Sequence, residues 1–197
     1  MRILIAIPSY DRRLDIEIAR GLLHLERAMY DFDLVMPVSS HISRNRNLAV
    51  HECLKGDYDW LLFWDSDIGL EERFLDKMIE TAYKHEAQIV CGSYKMKEEN
   101  GKYVLGERKG DKYENLTEIS KVREVDAGGT GVMLISRKVL EALEDPWFTI
   151  EDGKSLFVLP EDFRFCQKAK EKGFKIMADP RFTTNHYGSK SYSHVVQ

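Results

Sequence analysis

The stretch WLLFWDSDIGL, residues 60–70, decides how the chain is read. Its first five residues are apolar without alternation, the pattern of a strand covered on both faces. The run ends in Asp65 and Asp67, one residue apart. Two carboxylates at the end of a buried segment repel each other, and burial penalises each of them, so the pair asks for a compensating partner. In a parallel α/β sheet, ligands gather beyond the carboxyl ends of the strands, which is where this pair falls. Two close carboxylates there suit a hard divalent cation, Mg2+ or Mn2+. The plain alternative has Asp67 capping a helix that starts near Leu70 while Asp65 faces water. A calcium loop is excluded, because Gly69 stands at the next ligand position and the distal glutamate is missing.

Working outward, ILIAI (3–7) is a short apolar run closed by Pro8 and reads as a second buried strand. Apolar residues recur at helical spacing from Leu14 to Met29. Residues 32–38 form a strand, and 43–55 a helix with Ser43 as N-cap and Gly56 as its stop. A helix over 71–85 and a strand over 87–94 follow. The alternation β-α-β-α-β-α-β predicts a parallel sheet with helices on both faces. After residue 94 the rhythm breaks. Residues 95–125 are polar, interrupted by Gly101, Gly106 and Gly110, and read as hairpins and loops. A strand runs into a helix over 125–145, a charged helix covers 160–173, and a strand covers 174–180. Residues 186–197 carry no strong period. With no repeat and no linker, the expectation is one domain over 1–197.

The chain has 197 residues, 43% hydrophobic and 31% charged, the balance of a globular protein. A net charge of −4 gives no electrostatic case for a nucleic-acid partner. Cys53, Cys91 and Cys166 are far apart and lack CxxC spacing, which argues against a zinc site or disulfide framework and for a reducing compartment. The apolar run before Pro8 is too short for a signal peptide, and no stretch reaches spanning length. The expectation is a cytoplasmic protein without a transmembrane segment.

Four further clusters carry chemistry. Pro160-Glu161-Asp162 is a good helix start, and a carboxylate there could serve as a general base. AGGTG (127–131) permits either a tight turn or close approach of backbone to a ligand, but matches neither GxGxxG nor a P-loop. His186 is either a hydrogen-bonded surface histidine or a ligand complementing the aspartates. Arg44 and Arg46, at a helix start where a cation opposes the dipole, are either solvated or placed to grip a diphosphate.

In this order, the motifs resemble family-two-like glycosyltransferases of the GT-A fold. The resemblance rests on IAIPSYDR, RNRNLAV leading into GDYDWLLFWDSD, AGGTGVMLISR, PEDFRFCQKAKEKGFKI and NHYG, spanning residues 3 to 188. In its compactness the chain also resembles a small archaeal-virus protein of this glycosyltransferase-like kind. The resemblance implies a single Rossmann-like, mostly parallel sheet with helices on both faces. It implies a nucleotide-binding half over 1–94 and an irregular acceptor-binding half over 95–197. The implied donor is a nucleoside-diphosphate sugar, the implied acceptor a glycan or protein, and the implied cofactor Mn2+ or Mg2+. Pro8, Ser9, Tyr10 and Arg12 would line the nucleoside pocket, and Arg46 would lie near the ribose or diphosphate. Gly128 and Gly129 would lie against the donor. Asp67 would hold the metal directly, Asp65 would contact ribose or the metal's water, and His186 would complete the site. Asp162 would be the base of an inverting transfer, and Glu161 would hold the acceptor. LVMPVSSH (34–41) departs from the family pattern in lacking an acid to read the base, leaving Ser39, Ser40 or His41 for that task. Lys190 could close over the diphosphate. Two other readings stand beside this one: a non-catalytic nucleotide-sugar or glycan-binding module, and a DxD phosphatase. The phosphatase motif, however, belongs after a first strand rather than a third.

Overall fold

Strand β1 (Arg2–Ala6) is flanked in parallel by β2 (Asp31–Val35) and β3 (Trp60–Trp64). The connections are helices α1 (Ile16–Leu25) and α2 (Ile42–Lys55). The computed structural model describes residues 1–25, 30–98, 101–110, 112–150 and 159–188, together with the backbone of 192–194. The predicted continuation of α1 to Met29 lies outside the described residues, as does Lys190.

The chain continues through β4 (Ile68–Leu70), α3 (Phe74–Lys84) and β5 (Ile89–Gly92). Next come β6 (Leu105–Lys109), β7 (Lys112–Asn115), β8 (Arg123–Glu124) and β9 (Ala127–Gly128). It closes with β10 (Val132–Ser136), α4 (Arg137–Ala142), α5 (Glu161–Glu171), β11 (Ile176–Asp179), β12 (Thr184–His186) and β13 (Tyr192–His194). The central sheet has the order β2-β1-β3-β10-β5-β11-β8. Pairing directions show that β2, β1, β3, β5 and β11 run one way, while β10 and β8 oppose them.

The alternation of the first half places β5 beside β3, but β10 lies between them, antiparallel to both. Every residue of β10 is buried, as an interior strand requires. Residues on both sides of position 94 therefore build one sheet.

Side chains alternate across that sheet as the pleat demands. Ile3, Ile5, Leu62 and Trp64 pack with Ile18 of α1 and Phe74, Leu75 and Met78 of α3. Leu4, Ala6, Leu61 and Phe63 pack on the other face with Ala49, Val50 and Cys53 of α2 and Phe163, Phe165 and Cys166 of α5. Helices thus cover both faces. Among the described residues no helix is long and apolar enough to cross a membrane.

Three local readings are corrected. The N-cap position of α2 is His41, without a side-chain cap, and Ser43 Oγ is buried with no partner. Ser39 organises the helix entry instead: its Oγ accepts from the His41 amide (3.1 Å) and its carbonyl from Asn45 Nδ2 (3.1 Å). Residues 68–70 form strand β4, paired with β12, so Asp67 caps no helix. The aperiodic tail supplies β13, a three-residue edge strand paired antiparallel with β12 and too short to show a period.

The C-terminal end of α2 is closed by Arg137. Its guanidinium donates to the carbonyls of Cys53 (3.1 Å), Leu54 (2.8 Å) and Gly56 (2.7 Å), while Nε pairs with Glu141. A cation on the last carbonyls of a helix satisfies orphan acceptors and complements the dipole. Arg137→Ala is therefore expected to lower stability by about 2 kcal/mol. Urea unfolding should show this as a lower midpoint with an unchanged slope.

Candidate active site

The turn after β3 is held by its own backbone and by Trp64. The indole Nε1 donates to Ile68 O (2.6 Å), and the Asp65 amide donates to Gly131 O (2.8 Å). The Tyr187 amide donates to Asp67 O (2.7 Å), and the Asp15 amide to Ser66 O (3.0 Å). This clamped turn sends its two carboxylates to different partners. Asp65 Oδ2 faces Arg46 Nη2 at 3.9 Å. Asp67 pairs with Lys97 Nζ through Oδ2 and faces His186 Nε2 at 3.7 Å through Oδ1.

Arg46 projects from the start of α2 and is only 5% exposed. Its Nη1 forms an ion pair with Glu161 Oε1 at the first position of α5, and its guanidinium lies 5.9 Å from the Phe148 ring centroid. The adjacent Asn45 donates to the carbonyls of Ser9 (3.3 Å) and Ser39 (3.1 Å), tying together the ends of the first two strands. Arg44 points to solvent. The Arg-Asn-Arg segment thus divides into an exposed cation, a strand clasp and a buried counter-charge.

The acids sit in different fields. Burial pushes the Asp162 carboxyl up to about 6; Arg46 opposes the rise, and Glu161 adds to it. The Phe163 amide donates to Asp162 Oδ1 at 2.8 Å. Burial also raises Asp65, again against Arg46 and with help from Asp67, and Asp65 Oδ1 is buried without a partner. For Asp67, burial works in the same direction, but hydrogen bonding and charge from His186 and Lys97 outweigh it and hold the carboxyl below its usual range.

His186 Nδ1 lies 2.8 Å from Lys95 O. A carbonyl only accepts, so Nδ1 carries a proton and donates to it, and Nε2 is the ring nitrogen turned toward Asp67. The ring meets Tyr94 edge-on at 5.5 Å, and the Tyr94 hydroxyl accepts from the Gly131 amide at 3.0 Å. A Cβ at Gly129 would lie 2.1 Å from that hydroxyl, one at Gly131 2.6 Å from Ile68 Cδ1, and one at Gly128 2.5 Å from Cys91 Sγ. The AGGTG glycines are required because protein side chains press against them, forming the wall behind the aspartate turn.

The segment after β1 borders the same place. Pro8 and Ser9 are buried, and the Ser9 amide donates to Pro37 O (3.0 Å). Tyr10 is 75% exposed, and Arg12, also exposed, has φ +64°, a left-handed conformation uncommon outside glycine. Ser40 and His41 are exposed at the end of β2, next to partly exposed Ser39.

The structure therefore brings Arg46, Asp65, Asp67, Glu161, Asp162 and His186 into one electrostatic neighbourhood. It adds Tyr94 and Lys97, which no motif marked, and a role for Asn45. Among the described residues no group of three or more histidines, cysteines or acids is arranged to hold a metal. Asp67 and His186 nevertheless offer an oxygen and an imidazole nitrogen side by side. Mg2+ takes oxygen ligands and completes its shell with water and substrate phosphate, so Asp67 fits such an ion, while the imidazole nitrogen of His186 suits Mn2+ better. Asp65 faces Arg46 rather than this pair.

The mostly parallel sheet thus carries an acid-rich site at its strand ends, opposite a helix opening on Glu-Asp. Residues 34–144, more than half of the chain, match glycosyl transferase family 2, and the chain belongs to that family. Among solved structures it is similar to A197 from STIV, with a TM-score of 0.73 and 22% identity over 100% of this chain and 96% of that one. It is also similar to S. aureus TarS 1-349, alone (TM-score 0.55, 17% identity) and in complex with UDP-GlcNAc (0.53, 15%). Those matches cover 100% of this chain but 60% and 59% of TarS 1-349, so the chain spans about three-fifths of that protein. No curated protein sequence gives a significant match. The fold is GT-A.

Removing one partner of a buried ion pair leaves an uncompensated charge. Arg46→Met is expected to lower stability at neutral pH by about 3 kcal/mol, measured by chemical unfolding.

Proposed function

We propose that this glycosyltransferase moves a sugar from a nucleoside-diphosphate donor to an acceptor hydroxyl, with inversion and with help from a divalent cation. The observation that carries the reading is Asp162. It is a largely shielded carboxylate at the start of α5, poised at about 6 and sharing the field of Arg46 with the aspartate turn. A general base works best when its pKa lies near the working pH.

In this account Asp162 removes the proton from the acceptor hydroxyl as that oxygen attacks the anomeric carbon. The bond from sugar to phosphate breaks on the opposite face and leaves a nucleoside diphosphate. Glu161, anchored by Arg46, orients the acceptor, which is a glycan or protein. Asp67 and His186 would hold Mn2+ or Mg2+. When bound, that ion supplies positive charge to the departing diphosphate. Asp65 serves the ribose. Pro8, Ser9, Tyr10 and Arg12 line the nucleoside side, with Ser39, Ser40 and His41 near the base, and Gly128 and Gly129 back the donor wall. The TarS structure in complex with UDP-GlcNAc supports a nucleotide-sugar donor.

Calorimetric titration with nucleoside diphosphates should show binding strengthened by Mn2+ and that strengthening lost in Asp67→Ala. Equal binding with and without metal would remove the cation from the account.

Asp162→Asn should abolish transfer while leaving donor binding intact, and wild-type turnover in that variant would take Asp162 out of the role. The base must be ionised, so activity should fall as pH drops through about 6. Stability runs the other way. A carboxyl whose folded pKa is raised destabilises the fold as pH rises from the usual aspartate range to about 6. Asp162→Asn should accordingly raise the melting temperature at pH 7.5 and have little effect near pH 4.

A further inference from the structure

Lys97 is not used by the proposed chemistry, yet its ammonium occupies one oxygen of the carboxylate assigned to the metal. It arrives there on a hairpin that leaves the carboxyl end of β5. The Val104 amide donates to Tyr94 O (3.0 Å), Lys95 bridges Tyr103, the Met96 amide donates to Lys102 O (3.0 Å), and the Gly101 amide donates to Glu98 O (3.0 Å). A Cβ on Gly101 would meet Met96 O at 2.6 Å, so the narrowing of the hairpin depends on that glycine.

The hairpin makes two deliveries. The Lys95 carbonyl accepts from His186 Nδ1 at 2.8 Å and so orients the ring, while Lys95 Nζ turns away over the Tyr103 ring at 5.5 Å. Lys97 then reaches Asp67 Oδ2, on the carboxylate whose Oδ1 faces His186 Nε2 at 3.7 Å.

Two cations drawn to one carboxylate repel each other, and a charge-assisted hydrogen bond is among the stronger contacts a surface lysine makes. Lys97 keeps 36% side-chain exposure on a flexible stem, so it can leave into water without disturbing the hairpin backbone. We propose that Lys97 is a counter-cation of Asp67 in the metal-free protein. It competes with the divalent ion for Asp67 and must be displaced before that ion binds. This rests on the reading of Asp67 as a metal ligand.

The test is titration of the intact protein with Mn2+ alone, following free Mn2+ by electron paramagnetic resonance. Wild type, Lys97→Met and Lys97→Gln would be compared, each with and without Asp67→Asn. Both Lys97 variants should bind Mn2+ about tenfold more tightly than wild type, the lower end of what a hydrogen bond to a charged group is worth. Asp67→Asn should cancel the gain. Equal affinity in wild type and the Lys97 variants, lost in all with Asp67→Asn, would overturn the competition and leave Asp67 a metal ligand. A gain insensitive to Asp67→Asn would place the ion elsewhere and also overturn the proposal. Mn2+ binding to none of them would overturn the metal reading itself and the competition with it.

Discussion

The buried guanidinium of Arg46 is the contact on which the site depends. It reaches Glu161, 115 positions away in sequence, with one nitrogen and faces Asp65 with another. Without it, acids from the end of β3 and the start of α5 would meet in a poorly solvated cleft and repel. With it, the aspartate turn and the Glu-Asp helix are held in one relation, and Asp162 is placed by being next to Glu161. A buried pair of this kind is weak evidence for stability as such, since desolvation offsets much of its attraction. Its value here is positional, joining the two ends of a site that the chain itself leaves far apart.

The same arrangement divides labour among carboxylates of similar intrinsic acidity. Arg46 opposes the effect of burial at Asp162 without cancelling it, so that carboxyl stays at about 6. Asp67 sits beside Lys97 and His186 and is held low. One acid is thus suited to exchange a proton and the other to remain an anion, the pattern by which environments separate roles among like groups.

Much of this was legible in the chain, and the illegible parts have physical reasons. WLLFW is a strand over the predicted residues because an uninterrupted apolar run ended by acids has few other solutions. The helix at Glu161 follows from proline and two acids at its start. The burial of VMLIS was readable, but its direction and its insertion between β3 and β5 were not, because an apolar run does not encode strand polarity. Ser43 looked like a cap by residue type alone, whereas Ser39 organises the helix entry through the His41 amide ahead of α2 and the Asn45 side chain within it.

Arg46, Asp65, Asp67, Glu161, Asp162 and His186 were all marked by motif. That Arg46 would serve carboxylates rather than point to open solvent was not, since an ion pair between distant residues leaves no local pattern. Lys97 reaches the site on a hairpin whose sequence reads as polar loop, and Tyr94 from the last position of the segment that reads as a strand. The most direct measurement of the central claim, that one site holds two oppositely poised carboxylates, is a carbon-13 NMR titration of the aspartate side chains. The account predicts that the Asp162 carboxyl carbon titrates near 6 and that Asp67 titrates below the ordinary aspartate range. An Asp162 with an ordinary titration, or the two titrating together, would contradict it.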